Sequence, residues 1–392
     1  MPATASLTGG WLRIAATLTL CAVATSSMAG PREQAKRMHD RLVGTPPSAA
    51  VLDSMAAKIG AGDAIGAAYD AMQDPNFYNT TVRELATPWT NRDQSVYAPL
   101  NDSTATVIGM VRDDVPFDQL LYADIVYVGT PAATNVEYSQ TDNAHYEDLQ
   151  NDRVDLSDPA NLAQQTQSTL PASPLPADAT AGIMTTRGFA EAFLVAGTNR
   201  AAVRFALLNH VCMDQEDFRD VTAYSDRIRQ DVSRSPGGDA NIYLNDCLSC
   251  HAGLDPLSGA FAYYDFNEDT NDIRYTAGEV HPKNLNDAGV FRWGYVTTDD
   301  SWLNFWRTGP NAFVGWNGPG FGNGAKSLGM EIAQTRQFSL CQVEHVFEKV
   351  CYREPNGSAD LAEVERIANV FETNNRSLKR VFAETATFCM GN

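Results

Sequence analysis

DANIYLNDCLSCHAGLDP, residues 239–256, places two cysteines and a histidine within five consecutive positions. Asp239 follows a Pro-Gly-Gly turn and is a typical helix N-cap residue, so we expect a helix from Ala240 to His251. Gly253 and Pro256 disfavour helix continuation, so this helix should end just beyond His251. The stretch therefore predicts that the two cysteines and the histidine lie on one short helix.

Cys247, Cys250 and His251 form the pattern CxxCH, which is the spacing of c-type haem attachment. Two thioether bonds would hold the haem through the cysteines, and His251 would ligate the iron. A zinc site would need a second close pair of ligands, and the chain has no second CxxC and no HxxxH. A plain disulfide or redox pair stays as an alternative. Because CxxCH occurs once, we expect one covalent haem c.

Residues 1–29 have the pattern of a secretory signal peptide. One basic residue, Arg13, precedes an apolar stretch that is too short to span a bilayer, and small residues precede a cleavage point expected after Ala29. A lipid anchor on Cys21 is the alternative, but the bulky Leu20 before it is unfavourable for such a site. We therefore expect an exported protein, located in the periplasm or at the cell surface or beyond it.

Four segments carry a family resemblance that extends beyond the CxxCH motif. They are residues 196–212, 231–240, 247–266 and 338–351. Together they resemble an exported bacterial cytochrome-c-like family of the planctomycete type, in which domains of unknown function surround a single CxxCH haem block. The resemblance covers residues 180–392 and, more weakly, the N-terminal half. It implies an exported haem c protein and electron transfer, and it supplies no substrate.

The organisation expected from the sequence is mainly α. A helical N-terminal region should occupy residues 30–155, because small and apolar side chains recur there at helical spacing. A segment rich in Pro, Ser and Ala, residues 156–180, predicts a linker or a long loop. Residues 181–392 should form a cytochrome-c-like helical haem domain with a small β-hairpin insert and closing C-terminal helices.

Two stretches are exceptions to the helical pattern. Residues 121–129 are rich in Val, Ile and Tyr and predict a strand. Residues 261–280 predict two short strands around an acidic turn. This turn resembles the start of a calcium loop, but Thr270 and Thr276 stand where an EF-hand needs glycine and glutamate, so we expect a solvated hairpin tip.

The four cysteines outside CxxCH suggest two disulfides in an oxidising compartment. If residues 340–351 form one helix, Cys341 and Cys351 lie about 15 Å apart, whereas a disulfide needs Cα atoms within roughly 7 Å. Each must then reach Cys212 or Cys389. We favour Cys212–Cys341 with Cys351–Cys389; the swapped pairing and buried free thiols are the alternatives.

The second axial iron ligand would be a histidine, a methionine or an open position. Met330 lies just beyond a glycine-rich loop and is the candidate distal ligand, with an apolar helix contact as the equal alternative. His281 follows the second short strand and is the alternative distal ligand.

Further side chains are candidates for the surroundings of a haem. Its propionates need cationic or amide donors. The candidate arginines are Arg200, Arg292 and Arg307. Tryptophans would either wall the haem or pack in the core. They are Trp293, Trp302, Trp306 and Trp316.

The net charge of −19 disfavours nucleic acid and anionic lipid surfaces as partners. It suits a basic redox partner protein, and it equally suits an exported protein that its charge merely keeps soluble.

We expect electron transfer as the function. One alternative is a peroxidase- or oxygenase-like haem enzyme with an open iron site, in which His281 or His210 would be the acid–base group. The other is a partner-binding assembly protein that carries a redox haem. The chain is large for a simple carrier, which favours a partner or substrate role for residues 31–240.

Overall fold

The computed structural model describes residues 29–195, 197–284 and 288–391. The predicted signal peptide up to Met28, including Cys21, lies outside the described residues. The described chain is mainly helical with small antiparallel two-stranded sheets, which confirms the predicted fold class. Within these ranges, no helix combines the length and the apolar character needed to cross a membrane.

Three helices open the described chain: α1 (Pro31–Val43), α2 (Ala49–Gly60) and α3 (Ala64–Ala71). The side chains of Ser48 and Asp63 cap α2 and α3 by accepting hydrogen bonds from backbone N–H groups in the first turn. The small buried side chains of α3 allow its neighbours to approach closely.

The middle of the chain contains shorter helices and the CxxCH segment. These helices are α4 (Arg83–Ala86), α5 (Asp102–Arg112), α6 (Ala144–Asn151), α7 (Arg187–Phe193), α8 (Arg200–Val211), α9 (Ala240–Ile242), α10 (Leu248–Ser258) and α11 (Ala288–Phe291). A π-helical turn, Tyr243–Cys247, joins α9 to α10. The chain closes with α12 (Gly324–Ala333), α13 (Arg336–Cys351), α14 (Gly357–Thr373) and α15 (Leu378–Cys389).

Each of the three sheets of the described chain is one antiparallel pair. They pair β1 (Val126–Gly129) with β2 (Leu162–Gln165), β3 (Tyr264–Asn267) with β4 (Asp272–Tyr275), and β5 (Ser301–Leu303) with β6 (Phe321–Asn323). Strand β1 confirms the strand predicted within residues 121–129, and β3 with β4 confirms the predicted hairpin around the acidic turn. Strand β2 lies inside the segment 156–180 that the sequence predicts to be a linker or long loop.

The main apolar core contains side chains from both ends of the chain. Phe77 and Phe382 meet edge to face with ring centroids 4.9 Å apart, and α15 also packs against α1 and α3. The predicted division into residues 30–155 and 181–392 stays a prediction, but the two regions share this core.

Both favoured disulfides are confirmed. Cys212 and Cys341 have Cα atoms 5.3 Å apart, and those of Cys351 and Cys389 are 5.6 Å apart. Helix α13 runs unbroken between Cys341 and Cys351, so these two cysteines are separated along one helix and do not bridge each other, as the sequence predicts. The first bridge joins the C-terminal end of α8 to α13, and the second joins the ends of α13 and α15.

The helix that carries CxxCH is longer than the sequence predicts. Asp239 caps α9 through its side chain, as expected. The prediction that the helix ends just beyond His251 is wrong, because α10 continues through Pro256 to Ser258. Gly253 lies inside α10 and does not end it, and a Cβ at this position would overlap the indole of Trp306. Its role is to let α10 approach that tryptophan closely.

Candidate functional site

Cys247, Cys250 and His251 line one cleft of about 380 Å³ together with residues of α8. Cys247 ends the π-helical turn, and the other two residues lie in the first turn of α10. All three side chains are half-buried, and both cysteines are free thiols. The structure therefore brings the whole predicted attachment motif to one accessible surface.

His251 is held from its own helix. Its Nδ1 lies 2.9 Å from Oδ1 of Asp255, one turn along α10. Burial alone would raise the pKa of Asp255, but the hydrogen bond from His251 and the charge of Arg200 outweigh it and hold the pKa well below its usual range. The carboxylate therefore accepts a hydrogen bond from Nδ1, which leaves Nε2 as the ring nitrogen available to a ligand.

Asp255 is itself fixed by two arginines. Arg200 donates from Nε to Oδ1 at 2.6 Å and from Nη2 to Oδ2 at 3.0 Å. The backbone N–H of Arg229 donates to Oδ2 at 2.9 Å. Arg200 also makes two hydrogen bonds to Asp231, at 2.7 and 2.8 Å. Sequence patterns did not identify Asp255 or Asp231 as site residues, although the spacing of Asp255 from His251 was a usable signal on a helix.

The predicted propionate partners have different surroundings. Arg200 lines the cleft, but its guanidinium is occupied by two carboxylates. Arg292 stacks on Trp293, and Arg307 forms an ion pair with Glu331 at 2.6 Å. The structure does not place Arg292 or Arg307 among the residues that line the cleft.

Two arginines that sequence analysis missed stand at the cleft. Arg204 forms a bidentate pair with Asp214 at 2.7 and 2.6 Å, and Arg219 is half-exposed with its guanidinium 3.6 Å from Glu216. Both side chains line the cleft. No local pattern marks them, because only the folding of the loop after α8 brings Arg219 beside α10.

Neither predicted distal ligand meets His251 in this cleft. Met330 is 38% exposed on α12, and Nε2 of His281 lies 3.3 Å from Asp265 at the β3–β4 hairpin. Among the described residues that line the cleft, His251 is the only histidine, and there is no methionine. Ligation of the iron by Met330 or His281 stays a prediction.

The tryptophans divide between core and surface. Trp302 and Trp306 are buried, whereas Trp293 is 74% exposed. Trp306 stacks on Phe218 with ring centroids 4.6 Å apart and also contacts α10 at Gly253. These tryptophans do not line the cleft, so the core interpretation applies to Trp302 and Trp306.

A second group of potential metal ligands lies elsewhere, beside a cavity of about 900 Å³. Nε2 of His345 is 3.5 Å from the sulfur of Cys212, 3.4 Å from that of Cys341 and 3.0 Å from the carbonyl oxygen of Asn209. The two sulfurs are joined in a disulfide, so this group offers no thiolate. His210, predicted as an alternative acid–base group, is buried against Trp89 and does not line the CxxCH cleft.

No family model matches the chain, and no curated protein or solved structure does. Inferences about function therefore rest on the residues of the cleft.

Proposed function

We propose that this chain is an exported mono-haem c protein that transfers electrons. Cys247 and Cys250 would carry the haem through thioether bonds, and Nε2 of His251 would ligate the iron. The observation that carries this proposal is that two free thiols and a histidine with one available ring nitrogen line the same cleft, while the other four described cysteines are paired.

The residues of the cleft fit a haem chemically. The thiols are unpaired, Asp255 orients the imidazole, and the half-exposed Arg219, which lines the cleft, offers donors to a propionate. When bound, the haem supplies a one-electron iron couple. The chain itself provides attachment, orientation and charge.

Electron transfer is favoured by the position of the cleft. Its three motif residues are half-buried rather than enclosed, so the edge of a group attached there would be accessible to another protein. The net charge of −19 suits a basic redox partner that is attracted electrostatically.

A second candidate is a haem enzyme with an open iron position. One observation favours it. Outside the CxxCH motif, the described residues that line the cleft include no side chain that commonly ligates haem iron. That lining also holds no second histidine, so the candidate acid–base groups beside the motif are the carboxyl groups of Glu216 and Asp246.

The first experiment tests covalent attachment. The protein is co-expressed with a cytochrome c maturation system, separated on a denaturing gel and stained for haem peroxidase activity. We expect a stained band for the wild type and none for Cys247→Ser/Cys250→Ser. Ser249→Ala is the matched control, because Ser249 lies between the cysteines and its buried hydroxyl has no hydrogen-bond partner. An unstained wild-type band from matured protein would overturn the proposal.

The second experiment separates the two candidates through Met330. If Met330 ligates the iron, the oxidised protein shows a weak sulfur-to-iron band, and Met330→Leu removes the band and admits carbon monoxide. Leucine keeps the apolar volume, so folding should be preserved. An unchanged spectrum assigns the ligand elsewhere, with His281 tested next. Rapid carbon monoxide binding by the reduced wild type would favour the enzyme.

A further inference from the structure

We propose that Asp255 is a positioning residue that fixes the tautomer and orientation of His251 and makes its imidazole a stronger electron donor, so that the attached haem has a low reduction potential. This inference rests on the proposed haem attachment and goes further, because it assigns a role to a residue outside the CxxCH motif.

The first step is the geometry of the pair. Oδ1 of Asp255 is 2.9 Å from Nδ1 of His251, and the two residues are four positions apart on α10, so they lie on the same face of the helix. The side chain of Asp255 is 0% exposed, so water does not compete for its oxygens. The Nδ1 proton therefore has one strong acceptor, and Nε2 is the nitrogen left for a ligand in the cleft.

The second step is that the acceptor is an immobile carboxylate. Arg200 holds both of its oxygens, and the backbone N–H of Arg229 holds Oδ2. Asp231 in turn holds Arg200 from the other side of its guanidinium. These hydrogen bonds compensate for the burial of the carboxylate and hold it in one orientation.

The third step is the effect on an iron ligand. A carboxylate that accepts the outer N–H of a ligating histidine raises the basicity of that ligand and fixes its ring orientation. A more basic ligand stabilises ferric relative to ferrous iron, so the reduction potential falls. The substitution Asp255→Asn would keep the shape of the side chain but remove its charge, so we predict a higher potential for this variant.

The test compares Asp255→Asn with Asp231→Asn in the full haem-loaded chain. Both variants remove one carboxylate from Arg200, but only Asp255 contacts His251. We expect Asp255→Asn to raise the midpoint potential and to shift the electron paramagnetic resonance spectrum of the ferric haem, and Asp231→Asn to change both much less. Equal shifts in the two variants would mean a general charge effect, and no shift in either would mean no effect; each result overturns the inference.

A second measurement uses the wild type and so does not depend on whether a variant folds. Nitrogen NMR of histidine-labelled, haem-free full-length protein reports which ring nitrogen of His251 carries the proton, with His251→Asn to assign the signal. We expect the proton on Nδ1. A proton on Nε2, or an equal mixture of tautomers, overturns the inference even if haem attaches covalently. Absence of covalent haem with the proton on Nδ1 would overturn the proposed function and the effect on the potential, but would leave the positioning of His251 by Asp255 standing.

Discussion

His210 shows how one buried imidazole affects stability. It lies at the end of α8 with its ring centroid 5.2 Å from that of Trp89, and its Nδ1 has no hydrogen-bond partner. Burial, and after it the charge of His345, lower the pKa of His210 from 6.5 to about 3. The unfolded chain therefore takes up a proton in this range that the folded chain does not.

We expect the free energy of unfolding to fall as the pH is lowered from 6.5 towards about 3, by up to about 1.4 kcal/mol per pH unit for this one group. Burial also lowers the pKa of His345, which acts in the same direction. Urea unfolding between pH 6.5 and about 5 should show a shallower fall for His210→Asn than for the wild type, because this window lies above most carboxyl pKa values. Identical slopes of unfolding free energy against pH in the variant and the wild type would contradict the lowered pKa of His210.

At the scale of elements, α10 depends on a contact with a distant part of the chain. Pro256 cannot donate a helix hydrogen bond, and proline disfavours helical conformation in the residue before it. The helix continues nevertheless, because Gly253 packs on Trp306 and Asp255 is held by Arg200 and Arg229. This packing places Asp255 one turn below His251.

We predict that Gly253→Ala destabilises the protein by about 1–3 kcal/mol, because the added methyl group would overlap the buried indole of Trp306. Chemical denaturation followed by circular dichroism measures the loss. Gly60→Ala is the matched control: Gly60 ends α2, and a Cβ there would make only ordinary contact with Pro31, at 3.8 Å. The control should be neutral or slightly stabilising. Equal destabilisation of both variants would show that the tryptophan contact is not the cause, because helix propensity favours alanine over glycine at both positions.

At the scale of the whole molecule, the disulfides tie distant parts of the chain to one core. Cys212 and Cys341 are 129 residues apart in sequence, and Cys351 and Cys389 are 38 apart. Cross-links over long loops restrict the unfolded chain more than the folded one. The second bridge fastens α15 to α13, and α15 packs in turn against α1 and α3.

We expect Cys351→Ala/Cys389→Ala to be less stable than the wild type by about 2–4 kcal/mol in urea unfolding. Peptide mapping without reduction should recover Cys212 joined to Cys341 and Cys351 joined to Cys389. A peptide that links Cys247 to one of these four cysteines would contradict both the pairing and the free thiols of the cleft, whereas a link between Cys247 and Cys250 would contradict only the free thiols.

Features that depend on local spacing could be predicted from the amino-acid sequence. Contacts or distances within a few turns of one segment were enough for four features. These are the CxxCH motif, the cap at Asp239, the mainly helical character and the exclusion of a Cys341–Cys351 bridge. The side chains that surround the motif, by contrast, depend on how distant segments fold together. The cleft and its supporting network include Arg200, Asp231 and Arg219, which come from segments with no periodic relation to α10. The continuation of α10 past Pro256 depends on packing against Trp306. Such contacts come from the burial of a shared core and from pairing of buried charges, and both depend on the path of the whole chain.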